Sequence, residues 1–383
     1  MATVRILHAS DLHISRHKEI VSPIDQILGL RDLDYLDVRT VAKQANSAFR
    51  ALRKGMNASS YQPHVLKRLA HFIYVAAKRK QLNGATITED EPDKIDAVLF
   101  SGDLATTGKY EDIRKVKDFF TAPFNNRYPY ESVTHQATLS ALSIPVWYLP
   151  GNHDRFESTK DWTNLQYLKN VRLPIFFNTG GTNFDIELID YLNHPVRMLG
   201  EVKARDPNGS ELRVVAIAAD FSLRRFHDHE GSFGWLAQGK VYKHVLDRLV
   251  QVTKAATTQN DGSAVCLIWA VHFPPGFPLL SRAHRLLLDS QLISEANQCG
   301  VRAILAGHTH EQTQYRNPKM NFDVFCCGSS TQYVPPRSSG ANRFQILNIA
   351  LNGSNEIGIN VEHYKYLRQG QHAVPRSHFY REV

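Results

Sequence analysis

Cysteine is scarce in this sequence: there are four in 383 residues, and Cys266, Cys299, Cys326 and Cys327 show no C-x-x-C spacing. That argues against a disulfide framework or a cysteine zinc site and sets the expectation of a reduced, cytoplasmic setting. Long apolar runs are missing too. The longest, at 264–271, is far short of a membrane-spanning helix, which needs roughly 18 or more apolar residues. The opening residues M-A-T-V-R-I-L-H have strand character and lack the apolar core of a signal peptide, so a soluble protein is expected. There is no repeat and no low-complexity tract. With 43% hydrophobic and 21% charged residues, a disordered chain or a fibre is excluded.

Acidic residues are absent from one stretch. Residues 41–88 hold no Asp or Glu but nine basic residues: Lys43, Arg50, Arg53, Lys54, Lys67, Arg68, Lys78, Arg79 and Lys80. The whole chain carries a net +8, so the basic excess is local. A solvated cationic helix face is the plain explanation. Contact with a phosphate, a nucleic acid or a membrane surface is the functional one.

Short β-branched, near-continuously apolar runs recur at 4–7, 95–100, 144–149, 213–219, 265–272, 301–306, 323–327 and 344–350. Such runs suit strands buried on both faces. Helical patterns lie between them at 239–256 and at 281–298, the latter stopping before Gly300. Alternating strands and helices predict an α/β layered fold. Residues 14–94 interrupt this rhythm, separating the first two strands by far more than a normal crossover. Within them Val65, Leu66, Leu69, Phe72, Ile73 and Ala76 recur at helical spacing, so an amphipathic helix is expected there.

Potential metal ligands follow five of the predicted strands: Asp11 and His13, then Asp103, then Asn152-His153-Asp154, then His272, then His308 and His310. Loops at the carboxyl ends of strands are where α/β sheets build their sites. In an extended segment residues i and i+2 point the same way, so Asp11 with His13, and His308 with His310, are expected to aim at one centre. Two Asp, one Asn and four His are too many for one tetrahedral zinc. They suit two divalent cations, with Mn, Fe or Zn favoured by the mixed donor set.

The ordered set D-x-H, G-D, G-N-H-D, H, G-H-x-H resembles the calcineurin-like metallophosphoesterase superfamily, over Asp11 to His310. The resemblance implies a two-sheet α/β sandwich flanked by helices, with a helical insertion after the first strand. It implies that Asp11, His13, Asp103 and His310 hold one metal, that Asn152, His272 and His308 complete the second, and that Asp103 bridges. It makes His153 the catalytic histidine near the leaving group and Asp154 the residue that orients it. The domain expectation is a catalytic domain at 1–350, containing a basic insertion at 14–94, and a C-terminal strand and tail at 351–383.

Within the superfamily, Gly102-Asp103-Leu104-Ala105 with the following Thr-Thr-Gly-Lys-Tyr-Glu and the trailing Cys-Gly-Ser-Ser are similar to the bacterial cyclic-nucleotide phosphodiesterase branch. A His-His-Pro-Pro block of that branch stands here as His272-Phe273-Pro274-Pro275. The opening I-L-H-A-S-D-L-H equally resembles the repair-exonuclease branch. The expected activity is hydrolysis of a phosphodiester, first a cyclic nucleotide or similar small diester. The alternatives are a nuclease whose basic insertion tracks a nucleic acid, a hydrolase of lipid-linked phosphates, and a scaffold without catalysis. Arg155 and His229 are candidate substrate contacts. His227-Asp228-His229-Glu230 otherwise reads as a polar loop, His8 as a supporting partner of the ligands, and Cys326-Cys327 as core.

Overall fold

In the computed structural model the described residues are 1–14, 62–78, 94–105, 110–121, 139, 142–155, 194–222, 239–258, 262–277, 286–331, 342–353, 356–367 and 378–382. Strand β1 (Ala2–Ala9) pairs in parallel with β2 (Ala97–Ser101), which pairs in parallel with β3 (Val146–Leu149). On the other edge of β1 lie β12 (Arg343–Leu351), β13 (Ile357–Leu367) and β14 (His378–Arg381), each antiparallel to its neighbour. The resulting six-stranded sheet runs β14-β13-β12-β1-β2-β3, so the C-terminal segment is part of it.

A second six-stranded sheet runs β10 (Thr313–Tyr315), β11 (Asp323–Cys326), β9 (Ala303–Ala306), β7 (Ala264–Ala270), β5 (Glu211–Ala219) and β4 (Val196–Arg205). Its four central strands are parallel. Side chains alternate between the faces of a strand, and the packing shows it. Val214, Ala216, Cys266, Ile268, Leu305 and Phe325 join the core shared with the first sheet. Val215, Ile217, Leu267, Trp269, Ile304 and Val324 join a second core on the outer face. Adjacent Cys326 and Cys327 therefore fall into different cores, both buried as free thiols. A two-stranded parallel piece, β6 (Gly239–Lys240) with β8 (Leu286–Leu287), stands apart.

Helices cover the outer faces. On the first sheet, α1 (Pro63–Lys78) buries Val65, Leu69, Phe72, Ile73 and Ala76, and Phe72 packs 4.7 Å from Phe344 and 5.0 Å from Tyr364 between ring centroids. Burying such a ring stabilises the fold by about 1.5–3 kcal/mol. Helix α2 (Tyr110–Thr121) sets Phe120 5.3 Å from Phe100 of β2. On the second sheet α3 (Lys243–Thr257) and α4 (Asp289–Gln298) bury Leu249, Leu292 and Ile293, and Trp269 Nε1 donates to Thr253 Oγ1 at 2.9 Å. No helix among the described residues is long and apolar enough to cross a membrane.

The two-sheet sandwich with flanking helices agrees with the sequence expectation. Three details differ. Helix α3 starts at Lys243, because Gly239–Lys240 is taken into β6, and α4 starts at Asp289, after β8. Strand β7 ends at Ala270, which leaves His272 beyond its end. Strands β4 and β13 escaped a search for continuously apolar runs, since their burial alternates with exposed polar residues, as on half-covered sheet faces.

Candidate metal centre

Three parallel strands of the first sheet and two of the second are followed by loops that converge. After β1 come Asp11 and His13, after β2 Asp103, after β3 Asn152 and His153, after β7 His272, and after β9 His308 and His310. Ligand atoms of Asp11, His13, Asp103 and His310 lie within 4.8 Å of one another, and so do those of Asp103, His272 and His308. Asp103 belongs to both groups.

The backbone achieves this in an unexpected way. Asp11 (φ 53°), His13 (φ 49°), Asp103 (φ 50°), His308 (φ 68°) and His310 (φ 54°) are all left-handed, and only Leu288 joins them among the described non-glycine residues. The two i, i+2 pairs therefore aim at one centre through left-handed turns, not through the extended backbone expected from the sequence. Each such residue costs about 1–2 kcal/mol, so the loops must be held by their neighbours. Close approach adds a second constraint. A Cβ at Gly307 would overlap Ser10 Oγ and sit 2.7 Å from Asp11 Oδ2, and one at Gly102 (φ 101°) would run into the His272 ring.

Hydrogen bonds orient the set. His272 Nδ1 donates to the Ser101 carbonyl at 2.9 Å, which turns Nε2 toward Asn152 Oδ1 at 2.9 Å and Asp103 Oδ2 at 3.3 Å. His13 Nε2 and His310 Nε2 face each other at 3.2 Å, and His310 Nε2 is 3.2 Å from Asp11 Oδ1. The His308 amide donates to Asp11 Oδ2 at 3.1 Å, and the His153 amide to Asp103 Oδ1 at 2.8 Å. The half-buried His153 ring stands 4.8 Å from the His13 ring. Asp154 accepts three backbone N–H groups, from Gly151 (2.8 Å), Ala105 (2.7 Å) and Leu104 (3.2 Å), and so ties the turn after β3 to the loop after β2.

Charges follow from burial and proximity. Burial works against ionising Asp11 and Asp103, yet the neighbouring histidines overcome it, holding Asp11 at about 2 and Asp103 well below the usual carboxylate range. Burial also works against a charged His272, but Asp103 beside it raises it to about 9. His13 is pressed down to about 3, first by burial and then by its neighbour His153. Asp154 is raised to about 7 by burial and by the Asp103 charge, against its three N–H donors. Two buried carboxylates thus demand positive charge at this spot.

The donor set fits divalent metal ions. The Nε2 atom of His272, with Nδ1–H committed to a carbonyl, converges with a carboxylate oxygen and an amide oxygen, three lone-pair atoms that need a cation or a proton between them. The juxtaposed His13 and His310 nitrogens beside Asp11 repeat the pattern.

Other sequence candidates fall elsewhere. His8 lies behind the site, fully buried and held at about 3 by that burial. Gln345 Nε2 donates to its Nδ1 at 2.9 Å, and its Nε2 meets Ser101 Oγ at 2.7 Å. The backbone of Arg155 closes a 3-10 turn at His153–Arg155, but its side chain lies outside the described residues. The 227–230 cluster with His229, and all the basic residues of 41–88 except Lys67, Arg68 and the backbone of Lys78, also lie outside them. Ser101 was not singled out from the sequence, although its carbonyl sets the His272 tautomer; a serine preceding Gly-Asp was its only signal. Phe273, which stands where the resembled branch has a histidine, is fully buried with its ring 4.3 Å from that of His308.

A family model described as calcineurin-like phosphoesterase matches residues 4–312 of the chain. Among solved structures, a dimetal phosphatase from Danio rerio is 11% identical, with 99% of each chain covered and a TM-score of 0.45. GAP50, the anchor in the inner membrane complex of Plasmodium, is 10% identical, covering 100% of this chain and 90% of that one, with a TM-score of 0.46. The zinc-complexed Vps29 of Entamoeba histolytica is 11% identical over 99% of this chain and 98% of its own, with a TM-score of 0.27. No curated protein matches the chain significantly.

Proposed function

Since the chain belongs to the calcineurin-like phosphoesterase family, we propose that it is a dimetal phosphoester hydrolase acting on phosphodiesters, with a cyclic nucleotide or similar small diester as its preferred substrate. The observation that carries this reading is Asp103, buried and common to both candidate ligand groups. In this reading Asp11, His13, Asp103 and His310 hold one cation, and Asp103, Asn152, His272 and His308 the other. When bound, two divalent cations polarise the phosphoryl oxygens and lower the pKa of an attacking water.

The remaining chemistry belongs to the chain. Asp103 keeps the two ligand groups in register, because one carboxylate serves both. Its Oδ1 also accepts the His153 amide, which fixes that residue at the rim of the centre. A ring nitrogen of His153 gives a proton to the leaving oxygen, which would otherwise depart as an alkoxide. Asp154 orients His153 through the backbone, by locking the turn after β3 onto Leu104 and Ala105. The ions in this reading are Mn, Fe or Zn.

The test is a metal-reconstituted activity panel over cyclic nucleotides, single- and double-stranded DNA, and artificial phosphomonoesters and phosphodiesters. Turnover of a cyclic nucleotide well above that of DNA supports the reading, and preference for monoesters overturns it. The nine basic residues of 41–88 favour one second reading, a nuclease. It requires DNA binding that weakens steeply with salt, as counterions are released from phosphates.

A further inference from the structure

Residues 10–14 are held from two sides. On the amide side, the N–H groups of Asp11, His13 and Ile14 donate to the carbonyls of Gly102 (3.1 Å), Asp103 (3.0 Å) and Leu104 (2.9 Å). On the carbonyl side, three consecutive oxygens are claimed by three consecutive residues after β11. The Ser330 amide donates to the Ser10 carbonyl at 3.0 Å, Ser329 Oγ to that of Asp11 at 2.8 Å, and Thr331 Oγ1 to that of Leu12. Ser330 Oγ in turn accepts the Ser10 amide at 3.2 Å and donates to the Arg343 carbonyl at 2.9 Å. All three residues are buried, at 4%, 0% and 0% exposure, although each carries a hydroxyl.

We propose that Ser329 and Thr331 are positioning residues for the Asp11/His13 half of the metal centre. The inference rests on the metal reading given above. Asp11 and His13 each hold a left-handed backbone, a conformation that L residues keep only when their surroundings over-determine it. The bonds to 102–104 anchor the Ser10–Asp11, Leu12–His13 and His13–Ile14 peptide units through their amides, but among the described residues nothing holds the Leu12 amide, so the Asp11–Leu12 unit is anchored only where Ser329 binds the Asp11 carbonyl. The Ser329 hydroxyl fixes that unit, and the Thr331 hydroxyl gives the next one a second bond, on its carbonyl side. Without them the planes relax toward right-handed or extended geometry, and the carboxylate and imidazole swing away from the shared point. The second ligand group contains neither Asp11 nor His13 and meets Asp11 through the His308 amide, a backbone contact and not a ligand atom, so the larger effect falls on the first side. Thr331 has a further bond, its carbonyl accepting the Gln62 amide at 2.7 Å just before α1. Replacing its hydroxyl alone leaves that backbone bond in place.

The experiment is calorimetric titration of the metal-stripped full-length protein with Mn²⁺ alone. His13→Ala marks the first site and Asn152→Ala the second. Ser329→Ala and Thr331→Val should weaken Mn²⁺ about 10–100-fold at the site that His13→Ala removes, the usual effect of losing an outer hydrogen bond to a ligand set. The other site should keep its affinity, and Thr331→Ser should restore the first. Wild-type affinity at both sites in both variants overturns the inference. So does equal weakening of both sites together with a lowered apo-protein Tm, which is what a merely structural role would do. If Thr331→Val does not fold, Ser329→Ala, which removes one hydroxyl without reshaping the core, carries the test alone. Wild-type protein that takes up no Mn²⁺ defeats the metal reading itself, and the inference with it, an outcome distinct from the other two.

Discussion

Two regions of one continuous stretch behave in opposite ways. Along β1, from Ala2 to Ala9, the backbone is extended and paired on both edges, and most side chains are apolar and buried. A few residues later Asp11 and His13 are equally buried but polar, and their backbone is left-handed. The same change repeats from β2 to Asp103 and from β9 to His308. Strand interiors gain stability from apolar burial and regular pairing, while strand ends give some up to desolvation and strain. A rigid sandwich beneath them is what lets the ends hold that geometry.

The sharpest way to break this comparison is at an end. Asp103→Asn should reduce metal content from about two ions to less than one, and hydrolysis on the order of 10³-fold or more, since several kcal/mol of charge stabilisation goes with the cations. Elemental analysis alongside a diester assay checks both. His153→Ala should separate chemistry from binding, lowering kcat by about 10²–10⁴-fold while both ions stay. An unchanged kcat on a substrate with a poor leaving group would remove His153 from the proton transfer.

An interior residue should behave in the reverse manner. Phe72→Ala empties a space between α1 and the first sheet and should cost about 3–5 kcal/mol in urea unfolding. The protein that remains folded should still bind metal with the wild-type stoichiometry. Acid should act on the ends through their histidines. Asp103 favours a proton on His272 below about pH 9, and each bound cation must displace such protons. Metal affinity should therefore fall with pH, by about tenfold per unit for each proton displaced, as seen by titrating Mn²⁺ at two pH values. The smallest effect belongs to the surface. Lys243 and Asp247, an i, i+4 pair 2.7 Å apart on the exposed face of α3, should contribute no more than about 0.5 kcal/mol, so Lys243→Ala should barely move the unfolding midpoint.

The central strands were legible from the sequence because burial on both faces leaves runs such as 213–219 almost wholly apolar. Helix α1 was legible because Val65, Leu69, Phe72 and Ala76 return at helical spacing. Strands β4 and β13 were not, since one face meets solvent and the polar residues there break the run. Leu286–Leu287 merged into a helical pattern because two residues carry no period of their own.

By itself the sequence determined the chemistry at hand: which strands are buried, and which Asp, Asn and His residues follow them. Local pattern is enough for that, because periodicity and residue type are written in neighbouring positions. Only the tertiary structure decided that those residues meet, that Asp103 lies in both groups, and that the Asp11 loop is gripped by residues more than three hundred positions away. It also decided the left-handed turns that replace an extended backbone. The reason is physical: such turns are unfavourable for L residues on their own, and only hydrogen bonds and close contacts from distant segments can hold them.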